Sequence, residues 1–120
     1  CHETLDLIEE AIREDPACAM AYAMRGDIHC YHSETKAAIG DYHKASGLDG
    51  ENEVYAQKLA VAYETNGQLE EALSIWKDVC RRFPDNWRNV YARGTIYSQL
   101  GQEKKEDADF DRAAELQKQQ

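Results

Sequence analysis

The sequence repeats itself every 34 residues, and this repeat constrains the fold more than any other feature. Residues 53–86 contain two stretches whose apolar residues recur every three or four positions, the spacing of one face of an α-helix. Asn66-Gly67 separates the stretches and Pro84 follows the second. Gly readily adopts the positive φ that ends a helix, and Pro lacks the N–H that would continue one. The sequence therefore predicts a helix, a tight turn and a second helix.

Equivalent residue types recur 34 positions earlier and later. The sets are Gly26, Ala60 and Gly94; His29, Tyr63 and Tyr97; Ser33, Gly67 and Gly101; Tyr42, Trp76 and Phe110; and Ala45, Val79 and Ala113. A fixed period of this length is typical of a helical repeat array, in which each unit packs against its neighbours.

These residues resemble the tetratricopeptide repeat, whose pattern places Leu-Gly, Tyr, Ala, an aromatic residue, Ala and Pro at set offsets. The central copy carries it as Leu59-Ala60, Tyr63, Gly67, Ala72, Trp76 and Pro84. The first copy has Tyr22, Arg25-Gly26, His29, Ala38, Tyr42 and Ala45, and the third has Val90, Arg93-Gly94, Tyr97, Gly101, Phe110 and Ala113. The resemblance implies an all-α fold, a right-handed superhelix of three helix pairs preceded by one leading helix.

The register divides the chain into residues 1–18, 19–52, 53–86 and 87–120, of which the last three are complete repeats. Residues 1–18 match the second helix of a repeat whose first helix is missing from the sequence. The outer side of that helix should then be uncovered, which predicts an exposed apolar strip around Leu5 and Ile12 that serves as a self-association edge.

Two helices depart from the pattern. The second helix of the first pair should run to about Ser46 and end at Gly47 and Asp49-Gly50, because Gly is a poor residue inside a helix. The last helix is polar on its outer side, as a terminal repeat requires. It carries Glu106 where the second repeat has the small Ala72, so we expect looser packing of the last pair.

The charge balance narrows the class of partner. The chain carries 14 basic and 23 acidic residues, a net charge of −9. Nucleic acids and anionic membranes require a basic surface, so both are disfavoured, and a basic or apolar protein partner is preferred over an acidic one. The sequence contains no apolar run long enough to span a bilayer and no signal-peptide pattern. Four cysteines without paired spacing indicate a cytoplasmic protein, and a lipid anchor on Cys1 is the alternative.

The resemblance implies a concave groove lined by the first helix of each repeat. By register, that groove is lined by Met20, Asp27 and Tyr31 in the first repeat, by Val54, Gln57, Val61 and Glu64 in the second, and by Arg88, Tyr91, Thr95 and Ser98 in the third. Tyr31 and Tyr91 are the predicted anchors, because rigid aromatic side chains often dominate binding energy.

Relatives that hold the acidic tail of heat-shock chaperones use a clamp of Lys, Asn and Arg. The corresponding positions here hold Ala23, Asp27, Lys58, Arg88 and Ala92, so most of that clamp is absent. We therefore expect no binding of an acidic chaperone tail.

His29, Cys30, His32 and His43 are the residues that could support chemistry, since imidazole and thiolate bind zinc. His29 lies in the column of Tyr63 and Tyr97, however, which favours a packing role, and the spacing matches no compact zinc motif. The sequence suggests no cofactor, no catalytic constellation and no phosphate-binding loop.

The sequence thus predicts a non-enzymatic scaffold that binds a peptide or helix in the groove. Two alternatives remain: an assembly module that uses the edge near Leu5 and Ile12, and a small metal-binding domain that uses His29, Cys30 and His32.

Overall fold

The computed structural model describes residues 2–119, and within them it contains seven α-helices and no strand. The helices are α1 (His2–Glu14), α2 (Ala19–Tyr31), α3 (Thr35–Leu48), α4 (Glu53–Thr65), α5 (Leu69–Arg82), α6 (Trp87–Gln99) and α7 (Glu103–Lys118). Substantial packing joins successive helices only, and the molecule measures 47 × 27 × 20 Å. The predicted all-α repeat solenoid is confirmed.

The three helix pairs α2–α3, α4–α5 and α6–α7 share the same turn. Ser33, Gly67 and Gly101 occupy its equivalent positions, with φ of 62°, 81° and 77°. In each turn the N–H of the residue after the positive-φ residue donates to a carbonyl five residues back, as Gln68 does to Tyr63 at 2.9 Å. This bond satisfies a carbonyl that the helix end leaves unpaired, and it therefore stabilises the turn of each pair.

Within each pair a small residue of the first helix faces an aromatic ring of the second. A Cβ added to Gly26 would lie 2.7 Å from the Tyr42 ring, and one added to Gly94 would lie 2.8 Å from the Phe110 ring. No real Cβ approaches a carbon that closely, so glycine is what allows these two helix pairs to pack. The central pair uses Ala60 in the Gly position, in the buried cluster that contains Trp76.

A second contact within the pairs differs between repeats. Arg25 of α2 binds Asp41 of α3 through two hydrogen bonds of 2.9 and 2.7 Å. The third pair repeats this geometry at the equivalent positions, with hydrogen bonds of the same lengths between Arg93 and Asp109. The second pair has Leu59 at the arginine position and Ile75 at the aspartate position, and both belong to one apolar cluster.

Three sequence-based expectations about packing need correction. The helix α3 does not end at Gly47 but continues to Leu48, because the N–H of Asp49 still donates to the carbonyl of Ala45 at 3.0 Å. The last pair is also closely packed despite Glu106, since the Gly94–Phe110 approach brings the two helices together. Glu106, one turn before Phe110, is tolerated because its side chain is only half-buried.

The third correction concerns the N-terminal helix. Leu5 and Ile12 are half-buried, whereas Leu7 is 66% exposed. The helix α1 is therefore rotated relative to the expectation: Ile8 faces inward, and Leu7 lies at the centre of the uncovered side. A lone helix has apolar residues on a broad arc, and periodicity alone does not tell which part of that arc its only neighbour covers.

Candidate protein-binding groove

The central part of the predicted groove contains a cleft of about 220 Å³ between α2, α3 and α4. Its lining is predominantly apolar and consists of Cys30, Tyr42, Val54, Gln57, Lys58, Val61, Ala62 and Thr65. The structure thus brings together the three predicted residues Val54, Gln57 and Val61. Val54 and Val61 are each 50% exposed, so they present apolar surface to solvent inside a concavity.

A polar cluster occupies the junction between α2 and α4. The hydroxyl of Tyr42 donates to Asp27 Oδ1 at 2.5 Å, and Lys58 Nζ donates to the same oxygen at 2.9 Å. The thiol of Cys30 lies 3.5 Å from the same hydroxyl. Burial, and then the bond to Asp27, raises the pKa of Tyr42 above its ordinary value. Tyr42 therefore stays a neutral donor, and the charge of Asp27 is compensated within the chain.

A row of hydrogen bonds joins the first helices of the second and third repeats. Gln57 donates to the buried Asn89 at 2.6 Å, and Asn89 donates to Glu53 at 2.6 Å. At the other end of the same helices, Gln99 donates to Glu64 at 2.9 Å. Gln57 and Glu64 were predicted to contact a partner, but here they also fix α4 against α6.

The C-terminal end of the groove is formed by α6. Tyr91 is half-exposed, and its ring lies 5.1 Å from Phe110 and 6.4 Å from Trp87. The guanidinium of Arg88 lies 4.9 Å from the centre of the Trp87 ring, within cation–π distance. Neighbouring rings thus hold Tyr91 in place, which suits it to an anchoring role because little side-chain freedom is lost on binding.

The other predicted residues are less well grouped. Tyr31 is 78% exposed at the end of α2, where its ring packs edge-on against His32, outside the central cleft. Met20 lines a separate apolar cleft between α1 and α2. Thr95 is half-buried and its hydroxyl donates to the carbonyl of Ala92, whereas Ser98 is exposed.

The lining residues Tyr42 and Lys58 carry polar groups that the sequence did not assign to the groove. Tyr42 was assigned to the core column, yet its hydroxyl reaches the groove. The sequence signal was the phenol of Tyr42 at a position that holds Trp and Phe in the other repeats. A buried hydroxyl needs a hydrogen-bond partner, which indicates that this side chain reaches a polar group. The sequence analysis considered Lys58 only as one position of the chaperone clamp, whereas in the structure it forms an ion pair with Asp27.

The candidate metal ligands diverge. Among the side chains that the structure describes, residues 4–119, no three of His, Cys, Asp or Glu are grouped as metal ligands would be. The imidazole of His29 lies 3.6 Å from Glu34 and 3.5 Å from Asp41, whereas Cys30 contacts Tyr42 on the groove side. His32, in the turn after α2, and His43, on α3, are both exposed.

Comparison with known proteins identifies the repeat. A tetratricopeptide repeat profile matches residues 88–120. This segment is a tetratricopeptide repeat. It comprises almost all of α6 and all of α7, the pair whose columns match those of the two preceding pairs. The family resemblance inferred from those columns is therefore confirmed.

Solved structures extend the likeness to the whole chain at the level of fold. Two crystal structures of MamA are each 20% identical over 98% of this chain, with TM-scores of 0.91 and 0.88. A structure of MamA from Desulfovibrio magneticus RS-1, residues 41 to the end, is 16% identical over 99% of this chain, with a TM-score of 0.89. The chain spans about two thirds of these proteins, at 69%, 64% and 67% of their lengths. No curated protein matches the sequence.

Proposed function

We propose that this chain is a non-enzymatic protein-interaction module, and that its concave groove binds an extended peptide or a helix of a partner protein. The observation that carries the proposal is the exposed apolar surface of Val54 and Val61 in a cleft that the repeat fold leaves open. Concave, mainly apolar clefts with a few placed polar groups are the usual form of a binding site.

The groove favours an apolar partner over a basic one. Its acids Asp27 and Glu64 already have partners within the chain, in Lys58 and Gln99. Arg88, which the repeat register assigns to this face, adds a positive charge. The net charge of −9 should therefore affect the rate of encounter with a partner more than the contacts made in the central cleft.

Binding to purified peptides tests the proposal directly. Peptides of about 16 residues would be selected from a random display library on the native chain, and their affinities measured by fluorescence anisotropy. We expect a Val54→Asp, Val61→Asp variant to weaken binding at least about tenfold, since a carboxylate must then be desolvated against an apolar ligand.

The matched control is Ala37→Asp, Ser74→Asp, which adds the same charge at exposed positions of α3 and α5. Circular dichroism confirms that both variants fold. Peptides that bind the two variants equally would show that the groove is not the binding surface.

A second candidate function is assembly through the N-terminal face, favoured by the exposure of Leu7, Met20 and Met24. The metal-binding alternative gains no support from the positions of the histidines. No described helix has the length and apolar character needed to cross a membrane. The cytoplasmic location stays a prediction, and its lipid-anchor alternative concerns Cys1, which lies outside the described residues.

A further inference from the structure

The two junctions between successive repeats differ at one pair of facing positions. At the junction of the second and third repeats, Gln99 of α6 donates to Glu64 of α4 at 2.9 Å, so two long side chains bridge these helices. The positions 34 residues earlier, on α4 and α2, hold the smaller Thr65 and Cys30. The hydroxyl of Thr65 donates instead to the carbonyl of Val61 in its own helix. The first junction is therefore open at the point where the second is bridged.

This open junction is the central cleft of about 220 Å³, which Cys30 and Thr65 both line. Val54 and Val61 present half-exposed methyl groups to it, and the buried Tyr42 lies at its base. An engineered apolar cavity of about 150 Å³ in another protein holds benzene. The cleft thus has room for one aromatic side chain, whereas a whole helix, about 10–12 Å across, is too wide to enter it.

The charges beside the cleft favour an uncharged occupant that has an electron-rich face. Lys58 lines the cleft, and its ammonium group donates to Asp27 at 2.9 Å, so the two charges compensate each other. The same ammonium lies 5.8 Å from the centre of the Tyr42 ring, within cation–π distance. A second ring packed against Tyr42 would come within reach of this cation. An aromatic side chain gains from that contact, whereas an aliphatic side chain of the same volume does not.

We propose that a partner protein inserts one uncharged aromatic side chain into this cleft, between Val54 and Val61 and over the ring of Tyr42. The inference rests on the proposed function, and it names the feature by which the groove selects its partner. The backbone that carries the ring lies outside the cleft, along α2 and α4. Burial of the ring against the apolar walls supplies affinity, and Lys58 adds the preference for an aromatic over an aliphatic side chain.

The test starts from a peptide of about 16 residues that is selected on the native chain and weakened by Val54→Asp, Val61→Asp, so that the groove is established as its binding site. Each aromatic residue of the peptide is replaced in turn by leucine and by cyclohexylalanine, which keeps a ring of similar size without π electrons. Affinities are measured by fluorescence anisotropy. At one position we expect leucine to weaken binding at least about tenfold and cyclohexylalanine about threefold.

Variants of the chain locate this effect in the cleft. Lys58→Met should abolish the preference for the aromatic ring over cyclohexylalanine, whereas Lys58→Arg should retain it. Cys30→Gln, Thr65→Gln places two long side chains where Glu64 and Gln99 meet at the second junction, and it should weaken the original peptide at least about tenfold.

The matched control for the double glutamine variant is Ala37→Gln, Ser74→Gln, which makes the same additions at exposed positions of α3 and α5 outside the cleft. It should bind the peptide as the native chain does, and circular dichroism confirms that both double variants fold.

The outcomes separate this proposal from the proposed function. Groove-binding peptides that lack aromatic residues, or that tolerate leucine at every aromatic position, overturn the aromatic anchor while the groove stands. Equal binding of the original and cyclohexylalanine peptides also overturns it, because the cleft would then select for size alone. Full binding to Cys30→Gln, Thr65→Gln overturns it too, because the ring would lie elsewhere. Selection that yields only peptides indifferent to Val54→Asp, Val61→Asp refutes the groove itself.

Discussion

Replacing the ion pair of the first repeat by the apolar pair of the second tests the packing argument most directly. Arg25 and Asp41 form two hydrogen bonds of 2.9 and 2.7 Å, with Asp41 buried and the Arg25 side chain 26% exposed. Removing one partner of a buried pair leaves an uncompensated charge, which costs about 3–5 kcal/mol, whereas replacing both by apolar residues is often neutral.

The expected magnitudes differ between the two single variants. Arg25→Leu strands the buried carboxylate and should lower the free energy of unfolding by about 3 kcal/mol, at the lower end of that range because the pair is not fully enclosed. Asp41→Ile should cost only about 1–2 kcal/mol, because the long arginine side chain can turn its charged end into water. The double variant should lie within about 1 kcal/mol of the native chain, which corresponds to a coupling energy of about 3–5 kcal/mol between the two sites.

The assay is urea unfolding at pH 7 followed by circular dichroism, with the slope compared between variants to check that the same surface is exposed. Lys58→Met is the control, because its pair with Asp27 is largely exposed and should contribute less than about 1 kcal/mol. If the two single effects simply add in the double variant, Arg25 and Asp41 are not a coupled pair, and the packing argument fails.

Four further predictions concern packing and reactivity. Gly40→Ala should stabilise the chain by about 1 kcal/mol in thermal unfolding, because a Cβ there meets nothing within 4 Å. Gly26→Ala should instead destabilise it by about 1–2 kcal/mol, because the Cβ meets an aromatic ring at 2.7 Å; stability equal to that of Gly40→Ala would contradict this packing. Asn89→Ala should lower the free energy of unfolding by about 2 kcal/mol in urea, because it removes the hydrogen bonds of a fully buried side chain to the half-buried Gln57 and Glu53; an unchanged midpoint would contradict the role of this side chain. Burial raises the pKa of Cys80 to about 11, so at pH 8 its thiolate fraction should be about 100-fold below that of an ordinary thiol. Iodoacetamide should therefore label the exposed Cys30 before Cys80, and equal labelling rates of these two cysteines by mass spectrometry would refute this.

The sign of the alkaline dependence follows from Cys80. Its raised pKa means that the folded chain holds the proton more tightly than the unfolded chain does. The contribution of this proton to the free energy of unfolding is complete below the ordinary thiol pKa of about 9 and is lost as the pH rises towards 11. The fall in stability over this interval should therefore be smaller in a Cys80→Ala variant.

The periodic columns predicted the fold well because the packing within each pair is set by single residues. Gly26 and Gly94 fall opposite rings, and Ser33, Gly67 and Gly101 all have positive φ, as their shared position in the 34-residue period indicates. Features of this kind can be predicted from a single sequence, because few residue types fit a tight helix approach or a left-handed turn.

Contacts between repeats were harder to predict. Asp27 was predicted to line the groove as a contact for a partner, but its carboxylate accepts hydrogen bonds from Tyr42 and Lys58, which lie on two other helices. Leu7 was overlooked in favour of Leu5 and Ile12 for a related reason. Which side chains meet across helices depends on the crossing angle and axial offset of the helices, and helical periodicity specifies neither.

The succession of neighbour-only contacts has a mechanical consequence. Since substantial packing links each helix only to the next one along the chain, a disturbance at one end travels mainly through successive interfaces. Fraying can then begin at α1 or α7 while the centre remains intact. A ligand that lies across α2, α4 and α6 together would reinforce the few hydrogen bonds, such as Lys58–Asp27 and Gln57–Asn89, that already join these helices. Such a ligand would stiffen the array along its whole length and make its opening more nearly all-or-none.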